Sequence, residues 1–305
     1  MTRVSSLARA ELGKRLAADG IRIQVGVFAI FLQSPIPSVA DGIARLYADY
    51  PLLPAGGFSD FHIRIVYARG VHRWWRRQAF FLFDGVVTFE PLPLEQAFPL
   101  FEWGLNWAIT SRAHSYLIIH AAVVEKDGRA AILPAPPGSG KSTLCAALVQ
   151  RGWRLLSDEM ALLRLADGLL LPMARPVSLK NKSIEVIRAF APATADQFSA
   201  PVRDTIKGTV SHLKAPAASV ARAAEPARPA WIIYPRYEAG AALTLTPLAP
   251  ARSFMALAEN AFNYSVLGRR GFDALSGVID QTRSYALSYG ALDEAIAAFD
   301  ALPPP

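Results

Sequence analysis

The segment Ala130-Ala131-Ile132-Leu133-Pro134-Ala135-Pro136-Pro137-Gly138-Ser139-Gly140-Lys141-Ser142-Thr143 decides how this chain is read. A short apolar run, a glycine-rich loop, Lys-Ser and a further apolar stretch predict strand, loop and helix in that order. That order is the physical recipe for cradling a nucleoside triphosphate. Gly138 and Gly140 let successive backbone N–H groups converge with no Cβ in the way. Lys141 supplies a point charge for the β and γ phosphates, and the Ser142 hydroxyl suits Mg²⁺. The N-terminus of the following helix, predicted from Thr143 to about Gln150, adds a favourable dipole. Pro137, Gly138, Ser139, Gly140, Lys141, Ser142 and Thr143 are therefore the candidate nucleotide contacts. The standard pattern has Gly where Ala135 stands, and Pro136-Pro137 stiffen the approach. The bland alternative, an incidental turn before a helix, does not account for Lys-Ser following a loop of this composition.

Seventeen and eighteen residues beyond Lys141 come Asp158 and Glu159, after the apolar Leu155-Leu156 and Ser157. The interval holds one helix, with Gly152 at its C-cap, and a return strand beside the loop. Adjacent acids at a strand end suit Mg²⁺ coordination together with alignment or deprotonation of a nucleophile. The alternative is a pair of turn residues on a solvated edge. His120 lies 21 residues before Lys141, inside the apolar run Leu117–Val124 that predicts one buried strand. A lone His there is either a hydrogen-bonded core residue or, because the next strand feeds the loop, a group that holds a carboxylate or tunes a proton acceptor.

Outward from this centre the pattern changes. Before residue 115 the chain predicts a small α+β region: a helix over Ser5–Ala18, a strand over Ile21–Phe31 and a helix capped by Ser38 running to Tyr50. Pro51–Gly57 reads as a loop. Strands follow at Phe61–Tyr67, around Trp74-Trp75 and at Phe80–Phe83, the last turning at Asp84-Gly85 into Val86–Phe89. Phe98–Arg112 then reads as an amphipathic helix. Beyond the acids, Lys180–Phe190 predicts a helix, and Ala191–Pro229 reads as irregular chain, either a functional flap or packed loop. A strand at Trp231–Tyr234 and helices over Ala251–Tyr264, Gly271–Ile279 and Leu292–Leu302 complete the pattern. The expected division is residues 1–114 and 115–305.

The 305 residues are 52% apolar and 19% charged, which excludes a disordered chain. Cys145 is the only cysteine, so this is no disulfide-stapled module, and it reads as a small core residue. No apolar run approaches the roughly 20 residues of a membrane helix, and no secretion signal opens the chain, so a cytoplasmic location with no membrane partner is expected. The net charge of +7 is modest. Its densest patch, His72–Arg77, reads as an amphipathic strand or hairpin, and without a recognisable module no nucleic-acid partner is expected. Lys180, Lys182, Lys207 and His212 are candidates for neutralising phosphate charge, with a solvated basic surface as the alternative. Arg269 and Arg270, between two predicted helices, are candidates for reaching into the site.

From His120 to Glu159 the chain resembles the catalytic domain of bacterial HPr kinase/phosphorylase. The likeness rests on the His, the Gly-x-Gly-Lys-Ser loop, Arg151-Gly152-x-Arg154-Leu155 and the acidic pair, in that order and at those spacings. Across the whole chain it resembles more closely the HPr-kinase-related kinases termed kinase A. Pro176–Asn181, Lys207–Leu213, Leu257–Tyr264 and the N-terminal region carry that second likeness. The resemblance implies an α/β fold: a P-loop kinase core of the HPr kinase C-terminal type with a small N-terminal α+β region. It implies Lys141 on the transferred phosphate, Ser142 and Glu159 on Mg²⁺, and Asp158 as the base for a serine hydroxyl, with His120 beside them. Glu159 stands where the family usually has Asp. The family's hexamers carry homo-oligomerisation over as an expectation.

The expected function is an ATP- and Mg²⁺-dependent kinase, a phosphotransferase acting on a hydroxyl, with the serine of a peptide or small protein as acceptor. A small-molecule kinase and a non-catalytic nucleotide-binding regulatory module are the alternatives. No base-reading motif separates ATP from GTP or pyrophosphate as donor.

Overall fold

A computed structural model of the chain describes residues 2–68 and 77–304. Helices take up 37% and strands 33%, in mixed sheets, so the class is α/β. The first part contains α1 (Arg9–Ala17), β1 (Ile21–Val25), β2 (Phe28–Gln33), α2 (Pro37–Leu46), β3 (Leu52–Leu53), β4 (Phe61–Tyr67), β5 (Gln78–Phe83), β6 (Val86–Val87), β7 (Leu92–Pro93) and α3 (Ala97–Arg112). There follow β8 (Tyr116–Ile119), β9 (Ala121–Lys126), β10 (Arg129–Pro134), α4 (Lys141–Gln150), β11 (Arg154–Ser157), β12 (Ala161–Arg164), β13 (Leu170–Leu171) and β14 (Val177–Lys180). The remainder is α5 (Lys182–Phe190), β15 (Val202–Thr205), β16 (Gly208–Leu213), α6 (Ala217–Ala221), β17 (Arg228–Tyr237), β18 (Thr244–Pro247), α7 (Pro250–Asn260), α8 (Tyr264–Leu267), α9 (Arg269–Gln281), β19 (Arg283–Tyr289) and α10 (Leu292–Asp300).

β1 to β7 form one seven-stranded sheet, and the six-stranded sheet runs β11-β9-β10-β17-β19-β18. β10, β17 and β19 are parallel. β9 is antiparallel to both β10 and β11, so β11 points the same way as β10. The carboxyl ends of β10, β11, β17 and β19 therefore meet the amino end of β9 at one end of the sheet. Alternate residues of these strands enter different cores: Leu133 and Ile233 face α4 and α10, while Ile132 and Ile232 face α7 and α9. Burial on both faces explains why the strands read as continuous apolar runs rather than alternating ones.

Several expectations are corrected. The run Leu117–Val124 is not one strand. It breaks at His120, whose amide donates to the Asn260 carbonyl at 2.7 Å, while Ile119 bridges Ala261. The end of α7 thus competes for the backbone there, and β8 joins a separate β13-β12-β8 sheet. Ile21–Phe31 is a hairpin that turns at Gly26, at φ +58°. Pro37, not a Ser38 cap, opens α2, which ends at Leu46. Ala191–Pro229 is not irregular: β16 pairs there with β14 on one side and β15 on the other, in a fourth sheet. Lys180 closes β14 instead of opening a helix, and the helix expected over Ala251–Tyr264 is interrupted after Asn260. The strand around Trp74-Trp75 and most of the basic patch lie outside the described residues.

α3 is not amphipathic. Ten of its sixteen residues are buried, Ala97 to Ile109 on nearly every side. One side meets the N-terminal sheet, where Gly104 sits against Phe81; a Cβ at Gly104 would lie 2.0 Å from that ring. The larger apolar core runs without a break from Val4 through α3 to Phe299. Gly104→Ala therefore overpacks the centre of the molecule and is expected to cost about 1–3 kcal/mol. Thermal denaturation checks this: Tm falls well below that of the wild type, and an unchanged Tm would contradict the packing described.

Candidate functional site

The loop after β10 is shaped by two left-handed glycines, Gly138 at φ +87° and Gly140 at φ +89°. Ala135 is buried and its φ is negative, so no glycine is required there. Pro137 and Gly138 are exposed, and Ser139 is half-buried. The Tyr237 amide donates to the Ser139 carbonyl at 2.9 Å. A Cβ at Gly140 would lie 2.8 Å from both Tyr237 Cβ and Tyr289 Oη. The ends of β17 and β19 thus press on the loop, and only glycine fits beneath them. Gly140 is the N-cap of α4 and no side chain caps it, so the first-turn N–H groups of Lys141, Ser142 and Thr143 lack intrahelical partners.

Lys141 is buried, and its Nζ has no hydrogen-bond partner. Burial pushes its pKa down, opposed by the charges of Glu159 and Asp158. Asp158 and Glu159 leave the end of β11 on a turn closed by Met160 N–H donating to Ser157 Oγ at 3.1 Å. Asp158 is 4% exposed; its Oδ2 accepts the Ser178 amide at 3.1 Å and its Oδ1 has no partner. Burial first, and the Glu159 charge second, push its carboxyl up to about 7 against the pull of Lys141, Ser142 and Ser178. Glu159 is half-buried, with His120 Nε2 3.4 Å from its Oε2. Burial raises it too, but His120, Lys141 and Lys180 outweigh that and hold it below the ordinary carboxylate range. Two neighbouring acids therefore have different protonation preferences, the pattern of a divided acid–base role.

His120 is thus neither a core histidine nor a strand residue. It sits on the break between β8 and β9, its ring tilted against Phe262 at 5.5 Å. Lys180 at the end of β14 and Lys207 at the β15–β16 turn share the field of Glu159. Lys207 Nζ also lies 5.0 Å over the Trp103 ring. His212 does not belong with them. It is 1% exposed, and burial lowers its pKa, so it is neutral near pH 7 and cannot neutralise phosphate. Lys182 is exposed at the start of α5. Arg269, 93% exposed beside Asp273, and Arg270 are solvated on α9 rather than turned into the site. Cys145 is buried in the core.

Three contributors escape the sequence reading. Ser178 reaches Asp158 through its backbone, which carries no side-chain signature. Tyr237 and Tyr289 follow from strand order alone. A small cavity beside Asp158 is walled by Ser178 and His212 and, from α3, by Glu102, Trp103 and Asn106. Four of the residues that line it carry a buried side-chain atom without a partner, Asp158 Oδ1, Ser178 Oγ, Trp103 Nε1 and His212 Nε2, and Lys141 Nζ, also unpartnered, lies in the field of the two acids. A larger concavity of about 1050 Å³ lies on the N-terminal sheet near Arg64 and Phe80 and contains none of these residues.

No family model matches the chain, and no curated protein matches it. Among the described residues no group of three or more His, Cys, Asp or Glu is placed to hold a metal by itself, and no helix is long and apolar enough to cross a membrane.

The like charge of Glu159 raises Asp158, so removing it must act in the opposite direction. In metal-free Glu159→Gln, Asp158 is expected to titrate at lower pH than in the wild type. Carboxyl NMR, with Asp158→Asn assigning the resonance, measures the midpoint; an unmoved or higher one would refute the coupling.

Proposed function

We propose that this protein is an ATP- and Mg²⁺-dependent phosphotransferase, a serine kinase related to the HPr kinases, whose acceptor is a hydroxyl on a peptide or small protein. On this reading the six-stranded sheet with its loop is a P-loop kinase core of the HPr kinase C-terminal type, and residues 1–114 form its N-terminal α+β region. One observation carries the reading. A lysine ammonium and a carboxyl group, both buried and both with an unpartnered polar atom, stand at the strand ends where a glycine-turned loop opens a helix.

The donor set fits the ligands proposed. The first-turn backbone N–H groups of Lys141, Ser142 and Thr143 and the Lys141 ammonium match a chain of phosphates, with Gly138 and Gly140 turning the loop around them. Mg²⁺ is usually bound by one or two carboxylates together with phosphate oxygens and water, so the lack of an all-protein cage is no obstacle. Ser142 and Glu159 would hold it, and when bound it neutralises charge developing on the phosphates. Glu159, kept ionised by His120 and the lysines, suits that task. Asp158, with its carboxyl near neutrality, suits the other: it takes the proton of the attacking hydroxyl and is partly deprotonated at pH 7. Lys141 and Lys180 balance the negative charge around the transfer.

Radiolabelled ATP with wild type, Lys141→Ala and Asp158→Asn tests the proposal. Asp158→Asn is expected to bind Mg-ATP about as tightly as wild type and to transfer label at least ~100-fold more slowly. Lys141→Ala is expected to lose nucleotide affinity about tenfold or more. Wild type that binds ATP but labels no acceptor in a cell extract would make it a regulatory module. Label appearing only in the metabolite fraction would make it a small-molecule kinase.

A further inference from the structure

The segment Met173–Ser178 is gripped from two sides. Toward the site, Met173 N–H donates to the Leu156 carbonyl at 2.8 Å and Ser178 N–H to Asp158 Oδ2 at 3.1 Å. From the N-terminal region, the Tyr50 hydroxyl donates to the Ala174 carbonyl at 2.7 Å. The Arg175 guanidinium donates to Glu102 Oε2 at 2.5 Å, to the Glu102 carbonyl at 3.1 Å and to Asn106 Oδ1. The Tyr47 hydroxyl closes the cluster on Glu102 Oε1 at 2.7 Å, and its ring packs on Tyr50 at 4.6 Å. Tyr47, Tyr50, Glu102 and Arg175 are all buried.

Only two residues separate Arg175 from Ser178, and one is Pro176, whose φ is fixed. Few dihedrals are thus left to absorb a shift at Ala174 or Arg175 before Ser178, which β14 also holds opposite His212 of β16. Oδ1 of Asp158 has no partner, so the Ser178 amide, beside the Ser142 side chain, sets how the carboxyl is turned.

We infer that Tyr50, Tyr47 and Glu102 of the N-terminal region, with Arg175, are positioning residues for Asp158, acting through the Ser178 amide. The N-terminal region is then a part of the site's machinery and not an appended module. The kinetic consequence rests on the phosphotransfer reading; the structural coupling does not.

The test uses the full chain with Tyr50→Phe and Tyr47→Phe. Tyr234→Phe, which loses a comparable hydroxyl bond to the Ser253 carbonyl on α7, is the control. Amide hydrogen exchange by NMR reads Ser178 against Ile232 and Ile233 in the core. Ser178 is expected to exchange about tenfold faster or more in Tyr50→Phe and faster in Tyr47→Phe, with the core amides unchanged and the control like wild type. In phosphoryl transfer, kcat of Tyr50→Phe falls about tenfold or more while KM for ATP stays within about twofold. Unchanged Ser178 exchange, or equal acceleration of every amide, would overturn the inference. Wild type that transfers no phosphoryl group would sink the function proposed above and leave the exchange result to decide the coupling.

Discussion

The structure turns on an amine and a carboxyl group kept out of water at one end of a sheet. Lys141 and Asp158 feel each other, but the Lys141 ammonium makes no hydrogen bond to any partner. Burial disfavours the charged form of each, and their attraction offsets only part of that cost. A protein gains no stability from such a pair that apolar residues could not supply better. It persists only where the surrounding backbone holds both groups in place, and the surroundings here do so: Gly140 wedged under two tyrosines, the Ser157 hydroxyl closing the acid turn, and the Ser178 amide on the carboxylate.

Strand direction explains why these parts meet. The loop follows β10, the acid pair follows β11, and both strands point the same way because antiparallel β9 lies between them. His120 precedes β9 and so arrives at the same end, with Ala121 opposite Pro134. β17 and β19, parallel to β10, bring Tyr237 and Tyr289 there as well. Ligands in open α/β sheets sit at the carboxyl ends of strands for this reason: loops gather there while the rest of the strand is locked in the sheet.

The sequence was most legible where chemistry is local. The glycines, Lys141, Ser142 and the acidic pair announce themselves by residue type and order, and the structure brings Lys141, Ser142, Asp158, Glu159 and His120 into one electrostatic neighbourhood. Phe61–Tyr67 alternates cleanly and is a strand with alternating burial. What the sequence hid was set by distant contacts. Nothing around His120 signals that the end of α7 will capture its amide and split the strand. Ala191–Pro229 is poor in apolar runs, yet β16 is fixed by β14 on one side and β15 on the other. His212 read as a candidate for neutralising phosphate because it follows the acidic pair in what read as irregular chain, and only its burial in β16 shows it to be neutral.

The join between the N-terminal region and the site shows the same dependence on direction rather than on area. An apolar interface would hold the two parts together, and the continuous core already does so. Apolar contacts, however, are non-directional, so shape alone and no fixed bond geometry sets the register there. The buried Glu102–Arg175 pair does not tolerate sliding. A guanidinium fork that must satisfy a carboxylate, a carbonyl and an amide oxygen at once has a single seat. Breaking it would strand a charge in the interior at a cost of about 3–5 kcal/mol. Such a pair is a poor stabiliser but a strict gauge of register. Its placement three residues before Ser178, rather than anywhere else along the shared core, is what ties the seating of the N-terminal region to the geometry of the carboxylate.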